Sequence, residues 1–275
     1  MIRSDGRRVK TISSFAALVP YIMTQRNDAT NMTTIEFPYA TVMNYINARR
    51  KEGNTDVTLL ACLIAAYVRT IAKYPQINRF VVAKKVYARH DIWVSFVTIK
   101  DGWDGIGEKP ETVVKIKFRG DETLNEVSLI VNAEIEKNRV PEDNNNMDHF
   151  IRRLFSIPLL PSVIVSCIKG LDKIGLLPKA IIKLSPFHTS IFFSNMASIR
   201  ANPIYHHLYN FGTTTAFISL GIDIANRKKY NMKIATDERA CSGSSYVLAM
   251  RSFMSNLYHP EHLEVPAESV NEDIK

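Results

Sequence analysis

The chain has 275 residues, 46% hydrophobic and 23% charged, with only 11 Gly and 12 Pro. That composition excludes disordered, collagen-like and coiled-coil descriptions of the whole chain. Lys and Arg (35) exceed Asp and Glu (27) for a formal charge of +8, a surplus that suits an anionic partner such as a phosphorylated cofactor or an acidic lipid surface. Nucleic acid is not expected, because no recognition motif accompanies the charge.

In chain order, residues 1–8 are basic but lack the apolar core of a secretory signal, so a cytoplasmic location is expected. Residues 39–52 read as a helix closed by Gly53, and Thr55 or Asp56 is placed to cap the next helix, 57–73. That helix is apolar nearly all round, as a central buried helix is, and it stops before Pro75. Residues 92–99 carry apolar side chains on both faces, an inner strand, while 113–118 is a more exposed one. The loop 101–110 between them has three glycines but no GxxxxGK[ST], so it is turn chemistry rather than a phosphate loop.

Thr123 and Glu126 form a capping-box pattern that opens a helix to about residue 138, with Leu124, Val127, Val131 and Ile135 on one stripe. A polar loop, 140–148, follows. Residues 154–168 carry no charge, yet the stretch is shorter than the roughly 20 residues of a spanning helix and contains Pro158 and Pro161. Basic residues flank it (Arg152, Arg153, Lys169, Lys173, Lys179 and Lys183), a pattern that fits a membrane-surface segment, a buried helix, or the wall of an apolar substrate tunnel. Further strands are expected at 190–194, 216–221 and 232–236. A last helix, 244–257, places Val247, Met250, Met254 and Leu257 on one face. No internal repeat or composition break divides the chain, which reads as one domain over 1–275.

Near the end stands Asp237-Glu238-Arg239-Ala240-Cys241-Ser242-Gly243, then a helix and His259-Pro260-Glu261-His262-Leu263. This resembles the closing segment of the dihydrolipoamide acyltransferase catalytic domain of 2-oxo acid dehydrogenase complexes, and it is similar to the His-x-x-x-Asp-Gly core of chloramphenicol acetyltransferase. Phe192-Phe193-Ser194-Asn195-Met196, the stretch from Pro203 to Gly221, and the helix leading into Tyr74-Pro75-Gln76-Ile77-Asn78 resemble further segments of that family in the same order. The resemblance covers 20–263. It implies an α/β two-layer sandwich with a mixed β-sheet, assembled as a homotrimer whose active sites lie between subunits. There is neither room nor sequence for a lipoyl domain, so the layout is closer to the free-standing antibiotic acetyltransferase.

In such enzymes an imidazole takes the proton of a thiol and a serine hydroxyl stabilises the oxyanion of the tetrahedral intermediate, the serine coming from one chain and the base from the next. The resemblance implies Ser194 as the oxyanion donor and puts Glu238 at the position of the base. Carboxylates have ordinary pKa values near 4.3 and thiols near 8.5, so a carboxylate there is a poor acceptor unless burial raises it. Ser242 replaces the usual aspartate, while Asp237, Arg239 and Gly243 keep the turn. His207 or His206 is a candidate relocated base, with Glu238 as its orienting carboxylate. In an extended segment those two imidazoles would point to opposite faces. His188 is a less supported base.

No residue spacing suggests a metal site, and Cys241 reads as a small buried hydrophobe. Arg49, Arg50 and Lys51 read as a helix C-terminal turn, with coenzyme A phosphates as the alternative partner. The implied activity is acyl transfer from acyl-CoA to a small or lipid-like acceptor. The alternatives are a catalytically inactive homologue, a pseudoenzyme acting as a binding or scaffold protein, and a peripheral membrane protein docked through 152–183.

Overall fold

The structure is a computed structural model and describes residues 3–101, 111–139, 156–223 and 228–274. The expected loops at 102–110 and 140–148, and Arg152 and Arg153, lie outside the described residues. Nine strands are present among them: β1 (Gly6–Arg8), β2 (Thr30–Pro38), β3 (Arg79–Val82), β4 (Lys85–Arg89), β5 (Ile92–Ile99), β6 (Glu111–Phe118), β7 (Ile191–Asn195), β8 (Ala216–Ile222) and β9 (Lys229–Asp237). Helices follow as α1 (Ser14–Ile22), α2 (Tyr39–Lys51), α3 (Leu59–Lys73), α4 (Leu124–Arg139), α5 (Leu160–Lys173), α6 (Lys179–Leu184) and α7 (Gly243–Tyr258).

A six-stranded sheet has the order β2-β9-β8-β7-β5-β6; β7 is parallel to β5 and β8, and the other pairings are antiparallel. It is the mixed sheet that the resemblance implies. The alternation of each strand sends one set of side chains, including Val94, Phe96, Ile116, Phe193, Ile218 and Ile234, into a core shared with α2, α3, α4 and α7. Eleven of the fifteen residues of α3 are buried, which makes it the central helix. Its cap is Thr58, whose hydroxyl accepts from the Ala61 amide at 3.2 Å, and not Thr55 or Asp56, so it begins two residues later than expected. The capping box forms as read: Thr123 N donates to Glu126 Oε2 at 2.8 Å, and Glu126 N donates to Thr123 Oγ1 at 3.3 Å. In α7 the buried stripe is Ala249, Met250, Phe253 and Leu257, and Val247 lies exposed outside it.

The opposite sheet face is covered by irregular chain and the end of the short helix α6. Lys115 Nζ donates to the carbonyls of Ile182 and Ser185 at 2.7 and 2.9 Å, holding the end of α6 over β6. Residues 201–212 lie over β7 and β8, with Leu208 packed among Phe192, Phe217 and Ala235. Gly221 makes that crossing possible, since a Cβ there would sit 2.3 Å from the backbone nitrogen of Pro203.

A smaller sheet, β1-β4-β3, is antiparallel. Its β3–β4 hairpin turns on Ala83 (φ 48°) and Lys84 (φ 61°), both left-handed as a two-residue hairpin turn of type I′ requires. Asn-Gly or Asp-Gly would have signalled that turn; Ala-Lys does not. No helix among the described residues is long and apolar enough to cross a membrane.

Candidate active site

Strand β9 runs straight into the closing turn. The buried carboxylate of Asp237 accepts from Arg239 Nε at 2.8 Å, Nη2 at 2.7 Å and the Arg239 amide at 3.1 Å. Buried Arg26 stands beyond it, Nε 3.8 Å from Oδ2. Burial pushes the Arg26 guanidinium down to about 10, opposed by the charge of Asp237. Glu238 N donates to Ala29 O at 3.0 Å, and Asn31 Nδ2 donates to Glu238 Oε2 at 2.7 Å, so the carboxylate is half-buried with one oxygen occupied. Ser242 is the N-cap of α7, its Oγ accepting from Ser245 N at 3.3 Å, the local role a short polar side chain fills well. A Cβ at Gly243 would meet nothing within 4 Å, so the turn does not depend on that glycine for space.

Glu238 and Ser242 border a cleft of about 1380 Å³ walled by Phe15, Val19, Ile77 and Val86. Its lining includes two buried hydroxyls, Tyr67 and Thr215, with no hydrogen-bond partner among the described residues, together with Tyr246 and Cys241. Burial raises the pKa of both tyrosines and pushes the Cys241 thiol up to about 11, so these groups stay neutral in ordinary buffers. An inert thiol fits Cys241 as a small, half-buried hydrophobe. The cleft thus pairs an apolar wall with neutral hydroxyls that need a partner. Nothing local in the sequence distinguished Tyr67, on the apolar helix α3, or Thr215, just before β8, from ordinary core residues.

Ser194, Asn195 and the two histidines lie elsewhere. Ser194 alternates onto the same sheet face as Phe192, and its hydroxyl has no hydrogen-bond partner among the described residues. On that face the Phe217 ring stacks on Phe192 (5.1 Å between centroids) and carries the His206 ring at 3.9 Å, parallel within 2°. His207 stacks in turn on His206 at 4.7 Å. The imidazoles therefore do not face opposite ways, because residues 201–209 form no strand and the aromatic column sets the ring directions. Burial lowers the pKa of His206, opposed by its 2.7 Å hydrogen bond to the His207 carbonyl. His207 is exposed.

None of Ser194, His206 and His207 lines the cleft. Ser194 pairs with Ser219 and Ser219 with Lys233; Glu238 lies five positions further along, which separates hydroxyl and carboxylate by roughly 20 Å within one chain. Arg26 connects the two regions. It reaches Asp237 on one side and donates to Tyr209 O at 2.7 Å on the other, two residues from His207.

His188 is fully enclosed, with Nδ1 2.8 Å from Ser185 Oγ and Nε2 3.4 Å from Asp172 Oδ2, a structural position. Arg49, Arg50 and Lys51 fall in the last turn of α2, where Arg49 meets Glu52 at 2.9 Å. Among the described residues one group of possible metal ligands comes together, His259, Glu261 and His262, all exposed, with ligand atoms within 4.8 Å of one another.

No protein-family model matches this sequence, and no curated protein sequence does either. Solved structures do match in fold. A probable dihydrolipoamide acetyltransferase from Listeria monocytogenes is 13% identical, with 97% of this chain and 99% of that one covered at a TM-score of 0.53. The cubic core of a pyruvate dehydrogenase multienzyme complex is 10% identical over 93% of each chain at 0.55. A chloramphenicol acetyltransferase is 11% identical over 90% of this chain and 99% of that chain at 0.51. The chain therefore has the chloramphenicol acetyltransferase-like fold, a two-layer α/β sandwich on a mixed sheet.

Proposed function

We propose that the chain is a single-domain acyltransferase that moves an acyl group from coenzyme A to a small or lipid-like acceptor, working as a homotrimer. The observation that carries this reading is the separation of its two half-sites. Ser194 ends a strand with an unengaged hydroxyl, while Glu238 borders an apolar cleft roughly 20 Å away. One chain cannot bring them to a common substrate, whereas adjoining chains can, with the strand end of one against the closing turn of the next. The names of the matched structures, acetyltransferases and a dehydrogenase core, point the same way.

In this reading Ser194 donates to the developing oxyanion. The thiol proton goes to His207, the exposed imidazole, with His206 fixing its ring and Glu238 orienting it from the adjoining chain. The coenzyme A arm suits the cleft chemically: apolar walls for its chain, and the Tyr67 and Thr215 hydroxyls for its amides. Exposed Lys73 on the lining is a cation for its phosphates, since Arg79 is held by Asp273 at 2.6 Å.

Thiol release from a panel of acyl-CoAs, measured alongside sedimentation mass, tests the proposal. A trimer that turns over at least one donor is expected, with activity falling about 10²-fold or more in Ser194→Ala and in His207→Gln. A monomer, or no turnover with any donor, overturns it. No turnover with tight acyl-CoA binding kept would favour the scaffold reading, which the hydrogen bond already occupying Glu238 supports.

A further inference from the structure

Helix α5 divides into two faces, with Val165 the apolar residue on the polar side. Leu160, Val163, Ile164, Cys167, Ile168 and Leu171 follow the i, i+3, i+4, i+7 spacing of one stripe, and Ser162, Ser166, Lys169 and Lys173 occupy the other. An apolar stripe of that kind normally faces a core. Here the only buried residue of α5 is an aspartate, Asp172. It is clamped by Arg3, whose Nη2 lies 2.7 Å from its Oδ1 and whose Nη1 donates to its carbonyl at 2.6 Å. Leu177, in the turn to α6, is the second anchor.

Around these two anchors the large apolar side chains point outward. Leu159, Leu176 and Leu184 are 77%, 67% and 82% exposed, and Val163, Val165, Leu171, Ile174 and Ile181 are exposed as well. The same stretch carries four exposed lysines, Lys169, Lys173, Lys179 and Lys183, and its lone acid is the one sealed under Arg3. Helix α1 also exposes Phe15, Leu18, Tyr21 and Ile22, but it has no basic residue in its last turn and borders the cleft. In residues 156–184, by contrast, four exposed lysines with no exposed acid interleave the apolar surface.

We infer that residues 156–184 form a docking surface for an anionic lipid bilayer, with α5 lying in the interfacial plane. Its leucines and isoleucines enter the acyl boundary while the four lysines meet acidic headgroups. The buried Arg3–Asp172 pair holds this surface in a set orientation on the body of the protein. A second copy docked about a twofold axis is a poorer occupant, because that self-complementary contact would set four lysines against four others.

Flotation of the full chain with vesicles tests the inference, using phosphatidylcholine alone and phosphatidylcholine containing phosphatidylglycerol. Recovery with the phosphatidylglycerol vesicles only, reduced at high salt, is expected. The quadruple variant K169E/K173E/K179E/K183E should bind at least about tenfold more weakly. Leu176→Asp with Leu184→Asp, two positions whose side chains are mostly exposed, should also release the protein while leaving its melting temperature unchanged. Three outcomes overturn the inference: no flotation with either vesicle, equal flotation with both, or flotation indifferent to these substitutions. Should Leu176→Asp/Leu184→Asp instead lower the sedimentation mass of a protein that does not float, the occupant is another copy and the lipid assignment falls.

Discussion

Arg3 and Asp172 meet across 169 positions of sequence, with the Arg3 side chain 1% and the Asp172 side chain 9% exposed. The same guanidinium also holds Asp5, Nε to Oδ1 at 2.8 Å, so one cation joins the start of the chain to the end of α5.

Removing the carboxylate in Asp172→Asn should destabilise the fold by about 3 kcal/mol, the lower end for breaking a buried pair, because Asp5 still neutralises Arg3. Burial by itself raises the pKa of Asp172, yet His188 and Arg3 outweigh it and lower the net value. A carboxylate depressed in the folded state contributes its full stability above the ordinary value of about 3.9 and loses it as pH falls through the folded value. Urea melts of wild type and Asp172→Asn should therefore converge as the solution is acidified below pH 4, and differ most at neutral pH. A constant difference would remove the pair from the account.

Lys115 gives the same direction of pH dependence in a higher window. Burial, assisted by the nearby Arg89, pushes its ammonium down to about 7, against an ordinary value near 10.4. Between those two values the unfolded chain binds the extra proton, so stability should rise with pH through that window. Lys115→Met should flatten the rise while weakening the attachment of α6, because the bonds to Ile182 and Ser185 go with it. Thermal melts between pH 7 and pH 10 check both effects.

His206 is held by ring stacking on Phe217. Replacing that ring in Phe217→Leu admits water to the imidazole and should raise its pKa toward the ordinary 6.5, since burial is the main cause of its lowering. Proton–carbon correlation spectra of the histidine side chains over a pH series would register the shift. An unmoved resonance would show that the column does not control the ring.

Gly221 lies under the chain that carries the histidines. Gly221→Ala places a methyl group 2.3 Å from Pro203 N, where backbone rather than a flexible side chain must yield. A loss of about 1–3 kcal/mol is expected from such overpacking. Any catalysis that depends on His207 should fall with it, while ligand binding in the cleft persists.

Signals carried within a few residues were enough for several of the regular elements. The Thr123–Glu126 box, the apolar run of α3 and the strand character of 92–99 each depend on neighbours three or four positions away, and each formed as read. The start of α3 was misplaced because three hydroxyl or carboxylate side chains, Thr55, Asp56 and Thr58, offered caps within four residues, and only packing of the helix selected Thr58. The β3–β4 hairpin was invisible because its left-handed turn uses Ala83 and Lys84.

Of the candidate site, the Asp237–Arg239 turn could be read from the order of its residues, since both partners lie two positions apart. By itself, then, the sequence determined the helices over 39–52, 57–73, 123–138 and 244–257, the strands at 92–99, 113–118, 190–194, 216–221 and 232–236, and the candidates Ser194, Glu238, His206 and His207, while β1 to β4, α1 and α6 went unread. Tertiary structure alone decided that Glu238 stands at a cleft far from Ser194, that the two imidazoles stack in one column, and that an apolar helix buries only its aspartate. These outcomes follow from contacts between segments many residues apart, and no local period or cap encodes which distant surfaces a folded chain brings together.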